Sequence, residues 1–256
     1  MCEKLENFFQ AFPEYSEIEI IQFLKSISVN NDYLDELDVI KFFHNNGMKF
    51  TERAMDYASH CGFLDIVVWL HKNRTEGCTK KAMDEAARNG HLNIVKWLHK
   101  NRTEGCSTNA LDGAASNGHL NIVKWLHKNR TEGCTTNAMN SAAESGFLNV
   151  VIWLHENRTE GCTTNAMDFA ACSGKVDIIE WLHFNRKEGC TSDAMDFASQ
   201  NGYFDTVKFL YAHRTEGNVK SSLEIFSNKG NYLAVKWLEE QETKKMLNNL
   251  WEKHSK

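Results

Sequence analysis

Apolar residues recur along the chain in pairs of short segments, each with the spacing of a helix that is apolar on one face. In one representative stretch, three alanines and a leucine within residues 110–117 share a face, which predicts a first helix. Residues 119–129 carry a wider apolar stripe, which predicts a second helix that packs on its partner and on neighbouring units. Asn109 is placed to cap the first helix, with Asp112 reaching back as in a capping box. Gly118 supplies the left-handed residue that ends it.

This pair of helices returns every 28 residues. Tryptophan marks six of the copies: Trp69, Trp97, Trp125, Trp153, Trp181 and Trp237. The glycine between the two helices keeps the same step: Gly62, Gly90, Gly118, Gly146, Gly174, Gly202 and Gly230. A fixed period of this length is typical of solenoids, in which each unit packs only on its neighbours. We therefore predict an all-α solenoid of stacked helix-turn-helix units, since no alternating strand pattern occurs.

The two ends of the chain depart from the repeat, which indicates caps. We expect residues 1–46 to form an N-terminal helical cap or degenerate repeat, because residues 33–44 match the second helix of the middle copies. Residues 47–239 are predicted to form the array of about seven units. Residues 240–256, which mix charges with four apolar side chains, are predicted to form a C-terminal capping helix.

Two stretches carry a resemblance to a known family. AASNGHLNIVKWL at 114–126 and AARNGHLNIVKWL at 86–98 resemble the middle of an ankyrin repeat, where two alanines, a glycine, His-Leu and an apolar helix follow in that order. The period is shorter than the usual 33 residues. The family's Thr-Pro-Leu-His opening is replaced by residues 109–112, Asn-Ala-Leu-Asp, and the missing residues fall in the protruding β-hairpin. The resemblance therefore implies a trimmed finger. The short repeat is similar to those of amoeboid protists and of large DNA viruses of amoebae.

Composition narrows the range of functions. The formal net charge is −5, which argues against nucleic-acid binding because phosphate contacts need clustered Lys and Arg. No stretch approaches the length of a membrane span, and the N-terminus does not resemble a signal peptide. We therefore expect a cytoplasmic protein (in the host-cell cytoplasm if the protein is viral) with reduced thiols, and a monomer that binds neither nucleic acid nor membrane.

Four further residue types recur at the 28-residue step, and all are expected to be structural. The cysteines are predicted to be small buried residues that bind no metal: Cys78, Cys106, Cys134, Cys162 and Cys190. Histidines near the end of the second helix are predicted to pack or cap: His71, His99, His127, His155 and His183. The tryptophans are expected to form a continuous spine in the core, and Arg74 to Arg214 with Glu76 to Glu216 a solvated, salt-bridged edge. We find no catalytic signature and expect no cofactor, metal or enzymatic activity.

The candidate binding residues are those that differ between repeats. Two positions on the first helix vary widely from copy to copy, and in stacks of the ankyrin kind this face lines the concave groove where partners dock. The candidate partner-binding residues are Tyr57, His60, Glu85, Arg88, Ser116, Ser141, Glu144, Phe169, Cys172, Phe197 and Gln200. The alternative is drift on a solvent-exposed face without a ligand. Against it stand Phe169, Phe197 and Ile225, three apolar residues in a row.

The predicted function is non-enzymatic protein–protein interaction, as a scaffold that binds a protein partner through this groove. The alternative is a substrate-recognition adaptor for a ubiquitin ligase, in which the N-terminal segment LENFFQAFPEYSEIEIIQFLKSI binds the ligase component. That segment is sufficiently apolar for the role but lacks an F-box pattern.

Overall fold

The computed structural model describes residues 19–20 and 36–254, so most of the predicted N-terminal cap and the ligase-binding segment lie outside the described residues. The helices fall into two compact units, residues 1–135 and 136–256. The helices of unit 1 are α1 (Glu36–Asn45), α2 (Glu52–Cys61), α3 (Leu64–Asn73), α4 (Lys80–Arg88), α5 (Leu92–Asn101), α6 (Thr108–Ser116) and α7 (Leu120–Asn129). Those of unit 2 are α8 (Asn137–Ser145), α9 (Leu148–Asn157), α10 (Asn165–Cys172), α11 (Val176–Asn185), α12 (Asp193–Asn201), α13 (Phe204–His213), α14 (Val219–Asn228) and α15 (Tyr232–His254).

Within each unit, the even-numbered helices are the first helices of the repeats and the odd-numbered ones are the second helices. In unit 1, α4 packs against α2 and α6, while α3 contacts α1 and α5. In unit 2, α12 packs against α10 and α14, and α11 contacts α13. Each first helix also packs on the second helix of its own repeat. The predicted all-α solenoid is therefore confirmed within each unit, and residues 36–254 contain no strand.

Small residues on the first helices allow this close stacking. Ala86, Ala87, Ala114 and Ala115 are fully buried between neighbouring first helices of unit 1. The second helices contribute branched aliphatic side chains such as Ile122, which is also fully buried. The apolar face predicted for each helix is thus the face that forms the core.

The N-terminus of the first helix differs from the expected capping box. The N-cap of α6 is Ser107, whose hydroxyl accepts a hydrogen bond from the backbone N–H of Asn109. Asn109 therefore lies inside the helix, and the prediction that it caps α6 was wrong. Asp112 does not reach back along its own helix. It accepts hydrogen bonds from Thr135 of the next repeat, so its constancy reflects contact between repeats.

The glycine between the helices serves both conformation and packing. Gly90 has φ +86°, a value that L side chains rarely adopt, and this ends α4. A Cβ at this residue would lie 2.8 Å from Cε1 of His119 in the next repeat. The histidine of the motif therefore packs over the glycine of the preceding repeat.

The connection between repeats is short. Residues 102–107, between α5 and α6, are neither helical nor in a strand. The trimmed finger implied by the family resemblance is confirmed here, because six residues leave no room for a protruding hairpin.

The C-terminal segment continues a repeat helix. The predicted boundary at 239/240 falls inside α15, which runs without interruption through 23 residues from Tyr232 to His254. At the other end, Val39, Ile40 and Phe43 of α1 are buried. Over residues 36–254, none of the helices combines the length and apolar character that crossing a bilayer requires.

Candidate functional site

The first-helix surface comprises the eleven candidate residues that differ between repeats. All of them reach the surface: Arg88, Glu144 and Gln200 are exposed, and the other eight are half-buried. In α6 the residue equivalent to Tyr57 is Gly113, which is buried and packs on Arg88 of the preceding repeat. Unit 1 brings together Tyr57, His60, Glu85, Arg88 and Ser116, and unit 2 holds the other six.

A polar and aromatic cluster occupies this surface on α2 and α4. The rings of Tyr57 and His60 stack with their centroids 5.3 Å apart. Nδ1 of His60 lies 3.3 Å from Oε2 of Glu85 and 3.0 Å from Nδ2 of Asn89. Nε of Arg88 lies 3.7 Å from the same Glu85 carboxylate. The side chains that vary most in sequence are thus linked across two repeats.

An open cavity of about 740 Å³ lies beside this cluster. Its lining combines an aromatic pair with groups of both charges: Thr51, Glu52, Arg53, Asp56, Tyr57, His60, Thr79, Lys81 and Glu85. Most ligand sites are concavities of this volume with a few convergent polar groups. Three of the predicted binding residues therefore line a concavity large enough to receive partner side chains.

Asp56, one of the residues that line this cavity, has a structural role. Asp56 accepts hydrogen bonds from the backbone N–H and the hydroxyl of Thr79 at 2.8 and 2.6 Å. Burial raises the pKa of Asp56, although the hydrogen bonds from Thr79 oppose that shift. The same contact joins Asp84 to Ser107 and Asp168 to Thr191, so this carboxylate clamps successive repeats.

The remaining candidate residues lie outside this cluster. Ser116 donates a hydrogen bond to the carbonyl of Gly113, 2.9 Å away in the same helix. In unit 2, the carbonyl of Cys172 accepts a hydrogen bond of 2.9 Å from Asn201. Phe169 and Phe197 are half-buried, so these two candidate binding residues expose only part of each ring.

The arginines and glutamates at the 28-residue step form the predicted salt bridges. The pairs are partly buried, so the prediction that this edge is solvated was wrong. Arg130 pairs with Glu132, and both side chains are about one quarter exposed. A Cβ on Gly105 would lie 2.6 Å from Nη2 of Arg130, so the pair packs on the preceding repeat. Glu132 also accepts a hydrogen bond of 3.4 Å from the backbone N–H of Cys106. The hydrogen bond from Arg130 lowers the pKa of Glu132 to about 2.

The histidines and tryptophans meet on the outer side of this contact. Nδ1 of His99 lies 3.4 Å from Nη1 of Arg130 and must accept that hydrogen bond, because a guanidinium can only donate. The ring of His99 stands edge-on to Trp125, with centroids 5.2 Å apart. Trp125 and the equivalent tryptophans are half-buried, so the prediction of a spine in the core was wrong. The packing role predicted for the histidines is confirmed at His71, His99 and His155.

The repeated cysteines lie in the core, as predicted. Cys106 is 2% exposed, and burial raises its pKa to about 12. Burial likewise raises the pKa of Cys78 to about 12 and that of Cys190 to about 11. Among residues 36–254, no three His, Cys, Asp or Glu side chains are grouped as metal ligands.

Sequence comparison of the repeats missed a second set of exposed apolar residues. Phe184 is 65% exposed at the end of α11, where other copies have Lys72, Lys100 and Lys128. Leu233 is 78% exposed at a position that is Asn93 or Asn121 in other copies. Both could have been found by applying the comparison to the second helix as well as to the first.

The fold and these contacts define a helical repeat protein, in which recurrent polar contacts join successive helix pairs. Residues 85–168 and 111–196 match the family model for ankyrin repeats. Residues 85–196 therefore consist of ankyrin repeats, as the motifs in this region suggested. Ankyrin repeats generally mediate protein–protein interaction. No curated protein matches the chain.

Proposed function

We propose that the chain binds a protein partner through its first-helix surface, with the cavity beside Tyr57 and His60 as the main contact in unit 1. The observation that carries this proposal is the agreement of two independent features. Tyr57, His60 and Glu85 differ from their counterparts in other repeats, and the same three residues line the 740 Å³ cavity. An aromatic surface with a polar rim is the kind of site at which partner side chains gain most of their affinity.

The cavity favours a partner side chain that is apolar along its length and polar at its tip. The stacked rings of Tyr57 and His60 offer a flat apolar surface. Glu85 and Lys81 provide charges of either sign at the margin. Asp56 is already occupied by Thr79 and contributes to the shape of the site.

The test compares four baits in affinity capture with mass spectrometry, followed by titration of the captured protein. The baits are the wild type, Tyr57→Ala with Glu85→Ala, Phe169→Ala with Phe197→Ala, and the control Lys96→Ala with Lys124→Ala. The control residues are exposed on second helices of unit 1. Arg130 and Glu132 cannot serve as controls, because they join two repeats.

We expect the Tyr57 and Glu85 pair of substitutions to weaken binding at least thirtyfold, the usual cost of losing an anchoring residue. The control pair should bind like the wild type, and circular dichroism should show that all four chains are folded. The Phe169 and Phe197 bait tests whether unit 2 contributes to the same binding. The proposal would be contradicted if the Lys96 and Lys124 control lost the partner while both baits with first-helix substitutions kept it. It would also be contradicted if the wild-type bait enriched no protein.

A further inference from the structure

Helix α15 carries a continuous exposed stripe on the side that faces away from its own unit. Ala234 and Leu238 are fully buried, and Glu242 accepts a hydrogen bond of 2.9 Å from the hydroxyl of Tyr211 on α13. These residues hold one side of α15 against unit 2. The opposite side bears six large apolar residues that are between 54% and 78% exposed: Tyr232, Leu233, Met246, Leu247, Leu250 and Trp251.

The six residues lie on one face of the helix. At 3.6 residues per turn they fall within an arc of about 140°. Tyr232 and Leu233 are at one end of the stripe, and Leu250 and Trp251 are at the other, roughly 27 Å away at 1.5 Å per residue. Lys236, Glu239 and Glu240 lie between the two apolar ends and are exposed. The stripe is therefore apolar at both ends and charged in the middle.

Such a stripe is complementary to itself when one copy is reversed. With two helices antiparallel and crossing at residue 242, Leu233 of one copy lies level with Trp251 of the other, and Tyr232 lies within one turn of Leu250. The same register places Glu240 of each copy opposite Lys244 of the other. A parallel arrangement would instead set Glu240 against Glu240 and Lys244 against Lys244, which is unfavourable. The charges therefore favour a second copy of the chain as the partner, with its α15 helix antiparallel.

The area is sufficient for a weak specific interface. Aromatic side chains bury the largest areas of any residue type, and pairing would cover Tyr232 and Trp251 in both copies. With the four aliphatic side chains of each stripe, the total buried area reaches roughly 1,200 Å², the lower bound for specific interfaces. Leu233 also occupies a position that is asparagine or aspartate in the six preceding repeats, all with an exposed side chain.

We propose that the chain forms a homodimer by antiparallel pairing of α15 through this stripe. The dimer replaces the monomer that the sequence favours, and it involves neither the first-helix surface nor its cavity. Its dissociation constant should lie roughly in the micromolar range, given an interface at the lower bound of area.

The test is sedimentation equilibrium of the full chain between roughly 1 and 200 µM, a range that brackets a micromolar constant. The average mass of the wild type should rise from 29.4 kDa towards twice that value. Leu250→Glu should abolish the rise, and Leu233→Asn, which installs the residue of other repeats, should weaken association at least tenfold. Asn248→Glu adds the same charge to an exposed position outside the stripe and should associate like the wild type.

A charge exchange tests the direction of pairing. Lys244→Glu alone should weaken the dimer, because Glu240 of each copy would then lie opposite a second glutamate in the other copy. Lys244→Glu with Glu240→Lys should restore it, since opposite charges again face each other. A wild type that stays at 29.4 kDa at 200 µM, or a Leu250→Glu chain that still dimerises, overturns the proposal. A charge-exchanged chain as weak as the single variant overturns the antiparallel register.

Discussion

At the scale of single residues, the aspartate clamp is a contact between repeats that recurs along the chain. Asp84 accepts hydrogen bonds of 2.8 and 2.6 Å from Ser107, and burial raises the pKa of its carboxyl. In one repeat the equivalent residue is Asn140, which keeps both contacts with Thr163 at 3.0 Å. The clamp therefore requires an acceptor for the backbone N–H and does not require the charge.

This equivalence leads to a prediction for Asp84. Asp84→Asn should change the free energy of unfolding by less than about 1 kcal/mol, since the amide preserves the hydrogen bonds without a buried charge. Asp84→Ala should cost about 1–3 kcal/mol, because the N–H of Ser107 is left without its acceptor. Urea denaturation at pH 7 measures both. Equal costs for the two variants would contradict the clamp.

The partly buried Arg130–Glu132 pair predicts a dependence on pH. The pKa of Glu132 falls from its ordinary value of 4.5 to about 2 in the folded chain. A lowered folded-state pKa means that the stabilisation is present above about pH 4.5 and is lost as the pH falls towards 2. Glu132→Gln should therefore be less stable than the wild type at pH 7, and the difference should shrink steadily below pH 4.5.

Urea denaturation of both chains at a series of pH values checks this prediction. Comparing the wild type with the variant removes the contributions of the other acidic groups. A difference in unfolding free energy that stays constant from pH 7 to pH 3 would show that the carboxylate is not stabilised by Arg130.

Thiol reactivity should follow burial along the chain. Cys106 is 2% exposed with a pKa near 12, so it holds almost no reactive thiolate at neutral pH. Cys172 is half-buried on the first-helix surface. In a brief pulse of iodoacetamide followed by peptide mass spectrometry, Cys172 should be modified well before Cys106. Cys106 should react quickly only after unfolding in guanidinium, and rapid native labelling would contradict its place in the core.

At the scale of a helix, α7 has one face in the core and an outer face that is partly exposed. Ile122 is fully buried, whereas Trp125 is half-buried against the ring of His99. One repeat already has phenylalanine at the tryptophan position, where Phe209 meets His183 with centroids 5.8 Å apart. The outer face therefore tolerates a smaller aromatic ring.

We accordingly expect Trp125→Phe to cost less than about 1.5 kcal/mol, the range for similar-volume apolar exchanges. Ile122→Ala should cost about 2–5 kcal/mol, because it leaves a cavity in the core. Chemical denaturation of the two variants beside the wild type gives the comparison. If Trp125→Phe proves as costly as Ile122→Ala, the tryptophan contributes more to the core than its exposure indicates.

At the scale of the whole molecule, two proposed surfaces lie on different units. The cavity beside Tyr57 belongs to unit 1, and the exposed stripe of α15 belongs to unit 2. Tyr57→Ala with Glu85→Ala should leave the sedimentation behaviour unchanged, and Leu250→Glu should leave partner affinity within about threefold, since substitutions that share no contact partner usually act additively. A shared loss in both assays would indicate a folding defect, which circular dichroism would detect.

Much of this architecture follows from the order of residues. The 28-residue step, the two helices of each repeat and the burial of Cys106 depend on spacing along one segment, and helical periodicity turns that spacing into a face. Packing between repeats decides the rest. The hydrogen bond from Thr135 to Asp112 and the contact of Arg130 with Gly105 join residues 23 and 25 positions apart. Such contacts form only after neighbouring helices have stacked, because they join side chains of different repeats. The distance and rotation between the stacked helices therefore decide these contacts, and they also decide the exposure of Leu233 and Leu250 on α15.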